Sequence, residues 1–293
     1  MTAYFRPTTL DEALSVRAAR EVEVVAGGTD VYPNKTTRAG WGRMAHKDVL
    51  DLSAVPDLDR IEETEAHWRI GALVTWTDVV RAGLPPLFHG LKAAAREIGG
   101  QQIQNRGTLA GNLCTASPAG DGIPNLLALD AEVEAASVRG VRVEPVERFL
   151  DGYRHTTLAP DEILVGLRIP KRRPDARGAF RKLGARRYLV ISIVMAAGVV
   201  ETDADGAITH ACVALGACSP VARRLRALEE RLLGQRLSPD LSGLVTPEDF
   251  AGLAPLDDVR ASAAYRLAAA QALVRDLLGD LSAGSAAGGR RAA

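Results

Sequence analysis

The chain has 293 residues, and its 36 lysines and arginines balance 36 aspartates and glutamates. This zero net charge, together with only 4% aromatic residues, argues against nonspecific nucleic-acid binding, which needs a basic surplus and stacking side chains. The longest apolar stretch, residues 189–200, is shorter than a membrane span, and the N-terminus lacks a signal-peptide pattern. The three cysteines show no CxxC spacing and the five histidines are never at ligand spacing, so no metal site is expected. These features predict a cytoplasmic globular protein.

Capping signals and hydrophobic periodicity predict alternating helices and strands in the first 170 residues. Thr9 is expected to cap a helix, and Thr75 with Asp78 has the spacing of a capping box. The predicted helices are residues 10–20, a short helix after Thr75, 87–98 and 124–129. The predicted strands are residues 21–25, 48–52, 68–73, 131–136, 141–144 and 163–169.

A polar segment with two prolines, residues 170–178, predicts a domain boundary. Beyond it, three runs of strand-like residues predict an antiparallel meander with a turn at residues 203–206. These strands are residues 179–183, 191–200 and 207–216, and helices are predicted at 221–233 and 263–278. The tail after Gly279 is rich in glycine, alanine and serine and is expected to be disordered.

Two glycine-rich segments are the best candidates for a functional site. The first, VVAGGTD at residues 24–30, places consecutive glycines directly after a predicted strand, where backbone N–H groups can converge on an anion. The alternative interpretation is a tight turn between strand and helix, and the segment alone favours that turn. The chain has neither a GxGxxG pattern nor a GxxxxGK[ST] pattern, which disfavours a Rossmann site and a P-loop.

The second glycine-rich segment, residues 99–121, is predicted to be a long loop between two helices. Loops of this length are usually functional or disordered, and the apolar residues within it favour function. Asp121 ends the segment and is suited to accept hydrogen bonds from ribose hydroxyls. Its alternative role is to cap the helix that follows, and the two remain equally supported.

These motifs resemble the FAD-binding subunit of the molybdenum hydroxylase family, which includes the flavin subunits of xanthine dehydrogenase, carbon monoxide dehydrogenase and 4-hydroxybenzoyl-CoA reductase. The most specific match is the run IGGQQIQNRGTLAGNLCTASPAGDGIPNLLALDA (98–131). Further matches, in the same order along the chain, are VVAGGTD (24–30), IGAL (70–73), EILVGLRIP (162–170), RKLGARR (181–187) and DVRASAAYR (258–266). The resemblance extends to about Leu278.

The resemblance implies an α+β fold, with a two-lobed FAD-binding domain of the vanillyl-alcohol oxidase type followed by a small C-terminal domain. That domain is expected to contain a three-stranded antiparallel sheet and helices. The expected boundaries are 1–174 for the FAD domain, with lobes at about 1–55 and 56–174, then 175–280 for the C-terminal domain and 281–293 for the tail.

The resemblance also implies the site residues. Both glycine segments are expected to hold the FAD diphosphate through backbone N–H groups, with Asp121 on the ribose side. Lys182 is expected to lie near the flavin and to favour its reduced, anionic form. The full set of implied cofactor-binding residues is Val24, Val25, Ala26, Gly27, Gly28, Thr29, Asp30, Val31, Ile98, Thr108, Ala110, Gly111, Asn112, Asp121, Leu164 and Lys182.

The chain departs from the family pattern at two positions: Ala110 stands where a glycine is usual, and Gln104 where a basic residue is common. The cysteines are too few for the inserted iron–sulfur cluster of the benzoyl-CoA reductase relatives. No histidine lies in either segment, so the FAD is expected to be noncovalent.

The resemblance implies an electron-transfer subunit that passes electrons from iron–sulfur clusters through FAD to an external acceptor. Molybdopterin and [2Fe-2S] clusters are expected only in partner chains, a large molybdenum subunit and a small iron–sulfur subunit, with NAD among the expected acceptors. The alternatives are a stand-alone FAD-dependent oxidoreductase of the same superfamily and a flavin-free scaffold.

Overall fold

The computed structural model of the protein describes residues 3–35 and 47–283. Its first lobe is a parallel sheet of order β1-β3-β2, formed by β1 (Tyr4–Phe5), β2 (Val22–Val25) and β3 (Asp48–Asp51). Helix α1 (Leu10–Ala19) begins at Thr9, whose hydroxyl accepts the Glu12 N–H at 3.2 Å. The short helix α2 (Val31–Lys35) follows the first glycine-rich segment.

The second lobe is built around a five-stranded antiparallel sheet of order β4-β5-β10-β6-β7. Its strands are β4 (Ile61–Glu63), β5 (His67–Gly71), β6 (Glu132–Ser137), β7 (Gly140–Pro145) and β10 (Ile163–Pro170); β8 (Leu150–Gly152) and β9 (His155–Thr156) pair separately. Its helices are α3 (Trp76–Arg81), α4 (His89–Glu97), α5 (Gln101–Gln104), α6 (Leu109–Thr115), α7 (Gly122–Ala128) and α8 (Val146–Phe149).

The C-terminal part is an antiparallel sheet of order β11-β12-β13-β14 covered by helices. Its elements are β11 (Arg177–Leu183), β12 (Val194–Thr202), β13 (Ile208–Gly216), β14 (Arg223–Arg224), α9 (Arg226–Leu232) and α10 (Ala263–Ala283), with 3₁₀ turns at Pro239–Leu244 and Pro247–Phe250; a further such turn, Pro86–Phe88, precedes α4. The buried face of α10 packs on this sheet, where Leu277 and Leu281 approach Gly198.

Helix α7 joins the second lobe to the C-terminal sheet. All seven of its residues are buried, and it packs against β12 and β13. Met195 and Ala214 of those strands belong to the same hydrophobic core as Leu126 of the helix. The domain junction is therefore part of a continuous core rather than a loose contact.

Most predicted elements are present, and the differences have local causes. The predicted loop at residues 99–121 contains α5 and α6, because Thr108 caps a helix that the surrounding glycines concealed. The predicted helix at 221–233 begins only at Arg226, since residues 223–224 form β14, a fourth strand added to the expected three. Helix α10 extends through Ala283, so residues 281–283 of the predicted tail are helical, and residues 284–293 lie outside the described residues.

None of the helices within residues 3–35 and 47–283 is long and apolar enough to cross a membrane.

We expect Leu277→Ala to destabilise the protein by about 2–5 kcal/mol, because the removed side chain lies wholly within the C-terminal core and leaves a cavity. Chemical denaturation followed by circular dichroism measures this loss. Leu256 is 56% exposed, so the control Leu256→Ala should change stability by less than about 0.5 kcal/mol. Equal losses in the two variants would contradict the packing described for α10.

Candidate functional site

The two glycine-rich segments meet and line one cleft of about 880 Å³. A Cβ placed on Gly27 would lie 1.7 Å from the carbonyl oxygen of Arg106, so the two backbones touch at a point where only glycine fits. A Cβ on Gly107 would lie 3.2 Å from the Thr29 hydroxyl, and Thr115 donates to Asp30 at 3.5 Å. The first lobe and the second lobe are thus joined across the cleft by these segments.

Residues 24–31 contain the first glycine-rich segment. The chain leaves β2 here and turns sharply at Gly28. Gly28 has φ +70°, a left-handed conformation, and the Tyr32 N–H donates to its carbonyl at 3.3 Å. A Cβ on Gly28 would meet the Tyr32 ring at 2.7 Å. The turn that the sequence favoured is therefore real, and it also forms part of the cleft wall.

Residues 106–112 of the second glycine-rich segment lead into the N-terminus of α6. Thr108 caps the helix by accepting the Gly111 N–H at 3.0 Å, while Trp76 N–H donates to the Gly107 carbonyl at 3.1 Å and Leu109 N–H to the Val74 carbonyl at 3.2 Å. These bonds fix the segment against α3, and Thr108, Ala110 and Gly111 at the N-terminus of α6 line the cleft. A helix N-terminus carries partial positive charge, which favours an anion.

Ala110, which departs from the family pattern, lines the cleft and is 3% exposed. Its methyl group is part of the core formed by α6 and its neighbours. The extra methyl group is therefore accommodated by packing.

Asp121 lies behind the cleft wall, next to the lining residue Gly120. Lys182 donates to its Oδ2 at 2.6 Å and Ser192 to its Oδ1 at 2.5 Å, and both ends of the Lys182–Asp121 pair are at most 7% exposed. Burial raises the pKa of Asp121, although the charge of Lys182 and the hydrogen bonds from Lys182 and Ser192 act in the opposite direction. The carboxylate makes no capping bond to α7, so the helix-cap alternative is wrong: its side chain is held by the C-terminal part instead.

The structure brings most of the implied site residues to the cleft. Those that line it are Val24, Ala26, Gly27, Gly28, Thr29, Asp30, Val31, Ile98, Thr108, Ala110, Gly111, Asn112 and Leu164. Val25, Asp121 and Lys182 are not among its lining residues: Val25 points into the protein as the buried end of β2, and the other two form the ion pair behind the wall.

Several lining residues carried no usable signal in the sequence. Arg154 reaches the cleft from a left-handed position with φ +50°, and its N–H donates to the Ala116 carbonyl at 3.2 Å. Arg17 lines the cleft from α1 while donating to the Glu162 carbonyl at 3.2 Å. Further residues of this kind are Lys47, Trp76 and Ile191. Only the three-dimensional fold brings these distant positions together.

A second polar cluster, formed by Asp130, His210 and Cys212, lies at the domain junction, and sequence spacing had not indicated it. Their potential ligand atoms lie within 4.8 Å of one another. Arg224 already supplies a cation there: its guanidinium donates to Asp130 and, at 2.7 Å, to the Cys212 sulfur. Arg172 donates to the same carboxylate. The cluster is therefore better suited to an arginine than to a metal ion.

The pKa of Asp130 is held far below its usual range. Burial acts to raise it, but the hydrogen bond with His210 and the charges of Arg224, His210 and Arg172 outweigh that effect. A depressed carboxyl pKa contributes stability that is present above the ordinary aspartate pKa and is lost as pH falls through the folded value.

Asp130→Asn should therefore lower the free energy of unfolding at pH 7 by about 1.5–3 kcal/mol, because it removes the charged hydrogen bonds from Arg224 and Arg172 and leaves Arg172 without its carboxylate partner. The difference from wild type should persist down to about pH 4 and shrink only below it. Urea denaturation at several pH values measures it, with the exposed Asp205→Asn as control. A difference that vanishes already between pH 7 and about pH 5 would contradict the assigned pKa direction.

Comparison with known proteins gives matches along the whole fold. Residues 1–172 match the family model described as the FAD binding domain in molybdopterin dehydrogenase, and residues 179–281 match the CO dehydrogenase flavoprotein C-terminal domain. The chain is 32% identical to the nicotinate dehydrogenase FAD-subunit of Eubacterium barkeri, over 95% of each chain. It is also 32% identical to the nicotine 6-hydroxylase medium subunit of Paenarthrobacter nicotinovorans, over 93% of this chain and 94% of the relative.

A similar solved structure comes from the carbon monoxide dehydrogenase of Hydrogenophaga pseudoflava, in a form that lacks the Mo-pyranopterin moiety of the molybdenum cofactor. It superposes with a TM-score of 0.85 at 25% identity, covering 97% of this chain and 98% of that chain. The mixed α and β fold described above is therefore the fold of that chain.

Proposed function

The chain belongs to the family of FAD-binding subunits of molybdenum hydroxylases, and we propose that the cleft between its two glycine segments holds FAD noncovalently. The observation that carries the proposal is the backbone contact between Gly27 and Arg106, which places two glycine-rich turns on one cleft of about 880 Å³. Sites for small ligands span roughly 300–1,000 Å³, so this cleft is at the large end of the range, as a dinucleotide requires. Bound FAD supplies the exchange of electrons between a partner's redox centres and an external acceptor.

The chain's own part in binding is to present backbone donors in a fixed arrangement. We propose that residues 24–31 and the α6 N-terminus, with Thr108, Ala110 and Gly111, receive the diphosphate between them. Asn112 lines the cleft, and its Oδ1 accepts the Gly122 N–H at 3.2 Å. That bond orients the amide and leaves its nitrogen as a donor for the ligand.

The apolar side chains of Ile98 and Leu164 are proposed to hold the ring end of the ligand. Lys182, expected near the flavin, and Asp121, expected on the ribose side, are proposed to act as one ion pair behind the cleft wall, because the Lys182 ammonium is held 2.6 Å from the carboxylate. The charge felt in the cleft from Lys182 is then largely cancelled by Asp121. Tuning of the flavin by Lys182 therefore depends on Asp121 as well.

The wider assembly follows from what this chain lacks. Three cysteines cannot supply the four thiolates of an iron–sulfur cluster, so substrate hydroxylation needs other chains. We propose a large molybdenum subunit and a small [2Fe-2S] subunit as partners, NAD as one candidate acceptor, and a cytoplasmic location. We also propose a FAD domain of the vanillyl-alcohol oxidase type at 1–174 and a C-terminal domain at 175–280. The two matched family models, which end at residue 172 and begin at residue 179, support this division.

Gly28→Val should abolish most FAD binding, because the new side chain strains a left-handed position and collides with Tyr32 at the cleft. Gly206→Val is the matched control, since Gly206 has φ +81° but open space around it. FAD content is read from the visible spectrum and from the yellow supernatant released by acid. Equal FAD content in both variants would contradict this placement of the diphosphate, and a colourless wild-type protein that takes up no added FAD would contradict the proposed cofactor.

The isolated chain should not be reduced by the substrate of the assembled enzyme. Anaerobic bleaching of the flavin at its visible band measures this, first with candidate heterocycles, aldehydes or carbon monoxide and then with the partner chains added. Bleaching should appear only after the partners are added. Bleaching by substrate in the isolated chain would instead support a stand-alone oxidoreductase.

A further inference from the structure

The C-terminal part contributes only Ile191 to the described lining of the cleft, yet it holds one wall of the cleft in place. This wall segment (residues 117–121) carries the lining residues Ser117, Ala119 and Gly120. Ala217 N–H donates to the Pro118 carbonyl at 2.8 Å. At the other end of the segment, Ser192 and Lys182 bind the Asp121 carboxylate.

One buried arginine fixes the points from which these bonds start. Arg266 on α10 is 4% exposed, and its Nη1 donates to the Ile193 carbonyl at 2.5 Å and to the Ala217 carbonyl at 3.2 Å. Ile193 follows Ser192 directly in the chain, and Ala217 is itself the donor to Pro118. The same guanidinium therefore binds the backbone of Ala217 and that of the residue next to Ser192, the two places on the C-terminal sheet from which the bonds to Pro118 and to the Asp121 Oδ1 are made.

The guanidinium is in turn held by the segment that precedes α10. Its Nη2 donates to the Asp258 carboxylate at 2.8 Å, and that carboxylate accepts the N–H groups of Arg260 at 2.8 Å and Ala261 at 3.3 Å. Backbone N–H groups, Arg260 first, and the charge of Arg266 lower the pKa of Asp258 to about 2, so the pair is ionised at neutral pH. Asp258 and Arg266 both belong to the DVRASAAYR motif. No residue of this motif lines the cleft, so direct contact with a ligand does not account for it.

Burying an arginine costs free energy that apolar packing at the same place would not. Within the described residues its Nε has no hydrogen-bond partner, so the side chain is not optimised for stability alone. Ala217 also has φ +62°, a left-handed conformation that alanine adopts only when its surroundings enforce it. The bonds to its N–H and carbonyl supply that constraint.

We propose that Arg266 is a positioning residue for the FAD cleft, which acts by fixing Ile193 and Ala217 and through them the wall segment. This rests on the proposed function, since it takes FAD as the ligand of the cleft. It assigns a role in cofactor binding to a residue that does not line the cleft.

The test compares Arg266→Met with Arg231→Met in the full chain, alone and with its partner subunits. Arg231 is a control matched in its hydrogen-bond partners, although its side chain is 40% exposed: it donates to two carbonyls, those of Ala227 and Leu244, and to the Asp249 carboxylate, all within the C-terminal part. The readouts are FAD affinity by fluorescence titration, hydrogen exchange of the peptide spanning residues 117–121, and thermal stability without FAD.

We expect both variants to lose stability, but only Arg266→Met to weaken FAD binding, by about ten-fold or more, which corresponds to about 1.4 kcal/mol. Exchange in residues 117–121 should be faster in that variant alone. Arg266→Lys keeps the charge and should restore part of the affinity. If Arg266→Met does not fold, Asp258→Asn replaces it as the test variant, because it weakens the hold on the guanidinium without removing it. FAD binding should then weaken by about three-fold.

The proposal is overturned if Arg266→Met, or Asp258→Asn in its place, binds FAD as tightly as Arg231→Met and leaves exchange in residues 117–121 unchanged. A wild-type chain that binds no FAD, alone or with partners, would contradict the proposed function instead. The exchange comparison then still decides whether Arg266 positions the wall segment.

Discussion

The contact between the backbone at Gly27 and the carbonyl of Arg106 is the constraint on which the cleft depends. A side chain of any size at residue 27 would separate the first lobe from the second, because a Cβ would overlap that oxygen. Only when these turns touch do the end of β2 and the start of α6 point at the same space. The glycines allow the two turns to approach this closely, and charged side chains such as Arg17, Lys47 and Arg154 complete the lining of the cleft.

Helix α7 makes the same site dependent on the C-terminal sheet. Asp121 lies at its N-terminal end and Asp130 just beyond its C-terminal end, and these carboxylates are paired with Lys182 and Arg224 of the C-terminal part. Between them the helix is fully buried against β12 and β13. Because the buried Asp121 carboxylate has its partner across the junction, a shift of one part against the other would leave that charge unpaired, at a cost of several kcal/mol.

The sequence predicted elements wherever the signal was local. The Thr75–Asp78 capping box forms as expected, and the three long strands of the C-terminal sheet follow their apolar runs. Helix α6 was missed because its glycine, threonine and asparagine residues are poor helix formers, and the Thr108 cap and tertiary packing decide its conformation instead. The partner of Asp121 could not be predicted, since Lys182 is 61 residues away and only the domain packing brings them together.

The C-terminal part holds one wall of the cleft. Ligand binding is therefore coupled to the packing of the C-terminal part against the second lobe. A ligand that binds only the docked arrangement stabilises it by a free energy that grows with ligand concentration, about 2.7 kcal/mol at a hundred times the dissociation constant. By the same linkage, any contact that favours docking also favours the ligand. The ion pairs Lys182–Asp121 and Arg224–Asp130 are contacts of this kind, as is the core shared by α7, Met195 and Ala214. The C-terminal part can therefore govern cofactor affinity through geometry, although Ile191 is the only one of its described residues that lines the cleft.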